Sequence, residues 1–321
     1  MKPTISDKYG RTFQTLRVSL LSTCNLGCVY CTMGEEEQKA GNAAGRQKVL
    51  SADQLLPLIG MLHDELSLKT IRLTGGEPLL YPQLAQVVKG VKELGIPQIR
   101  LTTNGFLLQK QALALKEAGM QSINVSLDAV DEDTFFLMSK RRNVQRILDG
   151  IDTALAVGLE VKLNTVLMKG INHHQVLPLL DYAFERNLTL RFLEVMSMGH
   201  LYGNADRYLV TRDEILHTIA GRYDFVPVLR ERSATASYWK TSTGKQFGII
   251  ANESAPFCHD CNRLRLDSDG NMYGCLSSNH PIDIKNIGSA AQLREKLSAA
   301  LRQKQPLKFT GSALSMLHIG G

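Results

Sequence analysis

The chain has 321 residues, 44% of them hydrophobic, with a net charge of +6 and six cysteines. That composition supports one large domain, or a domain with an appendage. No apolar run is as long as a membrane helix, no charged-then-apolar leader follows Met1, and the densest basic cluster, Lys140-Arg141-Arg142, is short. The expectation is a soluble, cytoplasmic protein with no nucleic-acid and no membrane partner.

From Thr15 to about Gly221, short β-branched strands alternate with longer amphipathic helical runs. In chain order, strands are predicted over 16–21, 70–74, 98–102, 122–127, 160–166 and 190–195. Helices are predicted over 52–66, 83–93, 109–118, 144–156, 174–185 and 212–220. Ser51 with Asp53 and Gln54 reads as a helix start, and Gly119 and Gly158 as stops. Residues 35–48, polar with Gly41 and Gly45, read as a loop. This alternation implies parallel pairing with right-handed crossovers. Six units fall short of an eight-fold barrel, so an open, partial (β/α)6 barrel of the TIM type is expected, with a doubly wound sheet as the alternative. After Tyr223 the alternation stops, and the rest reads as a smaller C-terminal cap of irregular structure and short strands. The expected division is residues 1–221 and 222–321.

The six cysteines fall into two trios. Cys24, Cys28 and Cys31 follow the first predicted strand, and Cys258, Cys261 and Cys275 lie near the other end. Sparse, clustered cysteines point to metal binding in a reducing compartment rather than to disulfides. A cubane [4Fe–4S] cluster has four irons, so a trio of thiolates leaves one iron open. The predicted strands also end in polar motifs: Thr74-Gly75-Gly76-Glu77-Pro78, Thr102-Thr103-Asn104-Gly105, Ser126-Leu127-Asp128 and Glu194-Val195-Met196, with Lys162 and Asn164 on the fifth. Carboxyl ends of parallel strands are where α/β active sites gather.

Cys24-x3-Cys28-x2-Cys31 with Tyr30 between its last two cysteines, and Gly75-Gly76-Glu77-Pro78 downstream, resembles the signature of radical S-adenosylmethionine (SAM) enzymes. Within that superfamily the chain is similar to the GTP 3′,8-cyclases of molybdenum-cofactor biosynthesis. The likeness is carried by Ile71–Pro78, Leu101–Gly105, Asn124–Asp128, Met168–Asn172 and Arg191–Glu194. It is carried further by Phe257-Cys258-x2-Cys261-Asn262-Arg263-Leu264-Arg265 with Cys275-Leu276, and by the terminal Gly320-Gly321.

The resemblance implies a lyase with two [4Fe–4S] clusters that converts GTP to 3′,8-cyclo-7,8-dihydro-GTP. An electron from the first cluster would cleave SAM, and the resulting radical would take the ribose 3′ hydrogen before C3′ joins C8 of guanine. Carried over, Cys24, Cys28 and Cys31 would hold the SAM cluster, and Cys258, Cys261 and Cys275 an auxiliary one. Tyr30, Gly76, Glu77, Ser126 and Met196 would serve SAM. Arg17, Arg72, Thr102, Lys162, Arg263 and Arg265 would bind GTP. Arg263 and Arg265, together with the Gly320-Gly321 tail, would be catalytic. Implied partners are a reductant such as flavodoxin and the next pathway enzyme, with a homodimer left open. Arginine suits a buried triphosphate because its fork donates two hydrogen bonds at once.

Other readings stay open at this point. Cys258, His259, Cys261 and Cys275 form a Cys3His zinc pattern. Lys162 reads equally as a surface lysine, Met196 as core, and Arg17 as a structural partner of Glu77 or Asp128. A paralogue acting on another nucleotide or a peptide, and a non-catalytic iron–sulfur or zinc regulator, are the competing functions.

Overall fold

The structure is a computed structural model and describes residues 5–32 and 49–320. The loop expected over 35–48 and Gly321 lie outside the described residues. Among the described residues, twelve strands form one sheet.

Six strands follow the chain in spatial order: β1 (Thr15–Ser19), β2 (Thr70–Thr74), β3 (Gln98–Thr103), β4 (Ser122–Ser126), β5 (Glu160–Leu167) and β6 (Thr189–Glu194). All pair in parallel. Helices return the chain between them: α1 (Ala52–Leu66), α2 (Leu84–Glu93), α3 (Leu108–Ala118), α4 (Glu132–Ser139), α5 (Gln145–Ala156) and α6 (Val176–Glu185), with α7 (Arg212–Ala220) after β6. The bounds of β2, α1 and α7 are those predicted. Helix α4 was not foreseen; its cap, Asp131, accepts from the Thr134 amide, but the run Glu132–Ser139 is too short to display helical periodicity.

The short strands expected after Tyr223 are present, and two of them extend the parallel sheet. β9 (Gln246–Ile250) pairs with β6, and β10 (Arg263–Leu266) pairs with β1, giving eight consecutive parallel strands. Antiparallel β8 (Ser237–Thr241) and β7 (Phe225–Val228) continue one edge, and β11 (Asn271–Tyr273) and β12 (Ile282–Asp283) the other. Helix α8 (Ala290–Arg302), capped by Ser289, and the single turn α9 (Met316–Ile319), capped by Ser315, complete the chain.

The alternation along these strands positions the site. Leu16 and Val18, Ile71 and Leu73, Ile99 and Leu101, and Leu264 and Leu266 are almost wholly buried in the main apolar core. The alternate positions line cavities, and they carry Arg17, Arg72, Arg100 and Arg263. Side chains on a strand alternate faces, so one face packs on helices while the other looks inward. Closed barrels of this type fill that interior with branched apolar side chains. Here it is lined by guanidinium, amide and hydroxyl groups instead, which leaves a polar chamber.

Candidate active site

The first trio is shaped by a close contact between two loops. The amide of Gly76 donates to the Leu21 carbonyl at 2.6 Å, and the amide of Glu77 to the Thr23 carbonyl at 2.8 Å. Gly75 has φ +152°, and a Cβ there would lie 2.6 Å from the Leu21 oxygen. A Cβ on Gly76 would run into the Thr23 carbonyl. The Gly-Gly pair is therefore required for the turn to lie against the cysteine loop.

Glu77 then fastens the turn to its neighbour. Its carboxylate accepts from the Thr103 hydroxyl at 2.6 Å, the Asn104 amide at 2.8 Å and the Leu79 amide at 2.9 Å. Burial pushes its pKa up to about 7 against those lowering bonds. Asn104 Nδ2 donates to Asn25 Oδ1 at 2.8 Å and lies 3.6 Å from Cys24 Sγ. Tyr30 donates to Asp128 Oδ2 at 3.0 Å, and Asp128 Oδ1 accepts from the Val166 amide at 2.9 Å. Burial lifts Asp128 to about 6. Burial, then Glu77, pushes Cys24 up to about 11. Burial, then Asp128, Cys24 and Cys31, pushes Cys28 upward too. The surroundings of these sulfurs are acidic or neutral.

Cys24, Cys28, Cys31, Tyr30, Gly76, Glu77 and Ser126 all line one cavity of about 180 Å³. Met196, also expected there, lines the next cavity and packs with Met198, Tyr273 and Phe309. That next cavity, about 160 Å³, is lined by Cys258, Cys261 and Cys275. It shares Thr102, Asn164, Leu193 and Met316 with the first. The two trios therefore face adjoining compartments of one chamber.

The second trio sits among cations. Burial alone would raise Cys261, but Arg263 and Lys304 bring it down to about 6, whereas burial and its two neighbouring cysteines hold Cys258 at about 11. His259 is exposed and lines a different recess with Arg230 and Phe257. Among the described residues, no three His, Cys, Asp or Glu side chains converge as ligands of a single metal ion. His259 is therefore not turned into the second trio's cavity as a fourth ligand. Each trio instead suits a larger group: three sulfurs close enough to act on one another, ringed around a cavity, with no fourth cysteine left in the chain. That fits a cubane with one iron open.

A third compartment of about 440 Å³, lined by Arg17, Arg72, Arg100, Lys162, Arg191 and Arg263, adjoins the second. Strand register explains this concentration. Arg265 lies opposite Arg17, Arg17 opposite Arg72, and Arg72 opposite Arg100. Like charges directly opposed across strands are destabilising. Burial, then Arg265, Arg72 and Arg263, holds Arg17 well below the ordinary guanidinium value, and burial with Arg191, Arg100 and Arg263 brings Arg72 down to about 9. The Nε atoms of Arg17 and Arg191 and the Oδ1 of Asn164 are buried without a hydrogen-bond partner. Arg17 does not bridge to Glu77 or Asp128, whose oxygens are taken by Thr103, Asn104, Leu79, Tyr30 and Val166. Lys162 pairs with Glu160 at 2.7 Å and borders the basic compartment. Arg72 Nη1 donates to the hydroxyl of Thr102, which lines the first two cavities, at 3.3 Å.

The tail enters this chamber. Ser315 donates to the Cys31 carbonyl at 3.2 Å, and Arg265 donates to the Gly320 carbonyl. Gly320 has φ +75°, and a Cβ there would meet Thr74 Cγ2 at 2.7 Å. Arg191 was not among the residues singled out from the sequence. Its signal was available: an arginine flanked by Leu190 and Phe192, the same isolated-cation pattern as Arg17 and Arg72.

The Radical SAM superfamily model matches residues 18–183, and the model described as Molybdenum Cofactor Synthesis C matches residues 188–310. A GTP 3′,8-cyclase of Staphylococcus haemolyticus is 40% identical over 278 residues, covering 85% of this chain and 82% of that protein. A GTP 3′,8-cyclase of Synechocystis is 35% identical, covering 100% of this chain and 96% of that protein. Among solved structures, Streptococcus suis SuiB bound to S-adenosylmethionine superposes with a TM-score of 0.64 at 15% identity, covering 91% of this chain and 68% of that one. Native anSMEcpe with bound AdoMet superposes with a TM-score of 0.63 at 14% identity, covering 90% and 83%. At such identities the two structures bear on the fold alone, and they share this α/β architecture.

Proposed function

Because the chain belongs to the GTP 3′,8-cyclase family within the radical SAM superfamily, we propose a division of labour among its residues for closing GTP to 3′,8-cyclo-7,8-dihydro-GTP. The protein is an iron–sulfur enzyme of molybdenum-cofactor biosynthesis that uses SAM. In our reading Cys24, Cys28 and Cys31 hold a SAM-binding cluster, and Cys258, Cys261 and Cys275 hold a second one. When bound, the first cluster and SAM supply one-electron reductive cleavage, and with it a carbon radical able to remove a ribose hydrogen. The electron comes from outside, and a flavodoxin-type reductant is the proposed donor.

The chain's own residues bind and orient. Gly75-Gly76, locked by Glu77, shape one wall of the SAM cavity, while Tyr30 and Ser126 line it. The guanidinium row Arg265, Arg17, Arg72 takes the nucleotide's anionic groups, with Arg191, Lys162 and Arg263 lining the basic compartment beside Arg17 and Arg72. Each charge-assisted hydrogen bond contributes about 1.5–3 kcal/mol, so a triphosphate relieves a repulsion that the empty chamber carries. Thr102 marks the passage between compartments, where ribose would lie with its base toward the second trio. Arg265 holds the tail carbonyl of Gly320 and so shapes the roof above the sugar.

The observation that carries this assignment is the in-register row of arginines, with the Nε of Arg17 buried and unpartnered, beside two cysteine trios that share a chamber. Anaerobic incubation of the reconstituted protein with GTP, SAM and a reductant, followed by chromatography, tests it. A GTP-derived cyclic product together with 5′-deoxyadenosine is expected. 5′-Deoxyadenosine with no GTP-derived product would reject GTP as substrate.

A further inference from the structure

A buried ammonium beside the second trio has no part in the scheme above. Lys304 lies two residues beyond α8 and is only 6% exposed. Its Nζ donates to Cys261 Sγ at 3.3 Å and to the Arg263 carbonyl at 2.9 Å, and it stands 5.1 Å from the centroid of the Phe13 ring. None of these contacts is a carboxylate. A buried ammonium is costly unless an anion meets it. A neutral thiol compensates poorly, whereas an iron-bound thiolate is an anion and a good acceptor for N⁺–H.

The geometry is specific to one ligand of one trio. The carbonyl of Arg263 and the ring of Phe13 aim the ammonium, so the third contact falls on Cys261. At the first trio Cys24 instead accepts from neutral donors, the Leu26 amide at 3.4 Å and Asn104 Nδ2 at 3.6 Å. Hydrogen bonds to cluster sulfurs and nearby charge set a cluster's reduction potential, and outer partners also fix ligand orientation. A cation bonded to a ligand sulfur stabilises the reduced, more negative cluster.

We propose that Lys304 is a positioning residue for the second cluster: it orients Cys261 and holds that cluster at a higher potential than its thiolates alone would give. The inference rests on the two-cluster reading given above. It predicts that removing the ammonium changes a property of the second cluster and leaves the first as it was.

The test uses the full chain, reconstituted anaerobically, as wild type, K304M, K304R and K304Q. Iron is counted, and EPR-monitored redox titration gives the midpoint of each cluster, the first being recognised because SAM alters its signal. In K304M the second cluster's midpoint is expected to move to more negative potential, K304R to stay near wild type, and the first cluster to stay constant in both. Unchanged midpoints in K304M at full iron content would overturn the proposal. Should K304M lose iron, K304Q decides: a smaller negative shift supports the assignment, and no shift overturns it. The two-cluster reading fails separately, if C258S/C261S/C275S holds as much iron as wild type.

Discussion

The two cysteine trios share a chamber but not an environment. Around Cys24, Cys28 and Cys31 stand Glu77 and Asp128, both buried and both raised in pKa. Around Cys258, Cys261 and Cys275 stand Arg263, Arg265 and Lys304. The acidic side has closely fitted backbone, with Gly76 against Thr23 and Glu77 satisfying three donors. The basic side carries repulsion and orphaned donors. A protein keeps such uncompensated charge where a ligand compensates it. In the proposed reading the first half holds its cofactor loop rigidly and the second receives an anion.

Breaking one half at a time gives the largest effects. Cys28→Ala is expected to abolish both SAM cleavage and cyclised product while the second trio keeps its iron. Cys258→Ala is expected to abolish the product yet leave 5′-deoxyadenosine formation measurable. Identical losses in the two variants, read by iron content and chromatography, would erase the proposed division.

Arg17→Met sharpens the basic half. Loss of one charge-assisted donor pair is worth about 1.5–3 kcal/mol, hence roughly 10–150-fold weaker GTP binding by equilibrium dialysis. Because Arg17 faces Arg72 and Arg265, the nucleotide-free variant should also melt at a higher temperature than wild type. A lower melting temperature would deny that repulsion is stored there.

Gly76→Ala acts on the acidic half. Its Cβ meets the Thr23 carbonyl, and overpacking of this kind costs about 1–3 kcal/mol. Denaturant unfolding should show that loss, together with weakened SAM binding; wild-type stability would mean the loops are not in contact. Ser315→Ala is the mildest change. Ser315 caps α9 and donates to the Cys31 carbonyl, and a lost cap costs about 0.5–2 kcal/mol. Amide exchange across 316–319 should quicken by about 2–30-fold with little change in global stability. Unaltered exchange would detach the tail from the first trio.

Much of this was legible before any coordinates. The βα period placed α1 and β2 to the residue, because apolar spacing and the Ser51 cap mark them directly. The cysteine spacings marked both trios. What sequence could not display is register across distance. Arg265 lies opposite Arg17 because β10 inserts beside β1, some 250 residues later in the chain, and no local pattern encodes that neighbour. Arg191 does carry a local signal, its apolar neighbours Leu190 and Phe192, but an isolated strand arginine is ordinarily a surface residue, and only the fold brings it to the compartment of Arg17 and Arg72. Lys304 was unreadable because its burial depends on the packing of Phe13 and the Cys258–Cys261 turn, not on its own neighbours.

The central claim is that the arginine row beside the second trio binds a polyanionic nucleotide. Equilibrium dialysis of GTP against guanosine, on the anaerobic reconstituted chain, tests it most directly. With at least two charge-assisted contacts at stake, GTP should bind more than about 100-fold tighter than guanosine. Equal affinity for the two would contradict it.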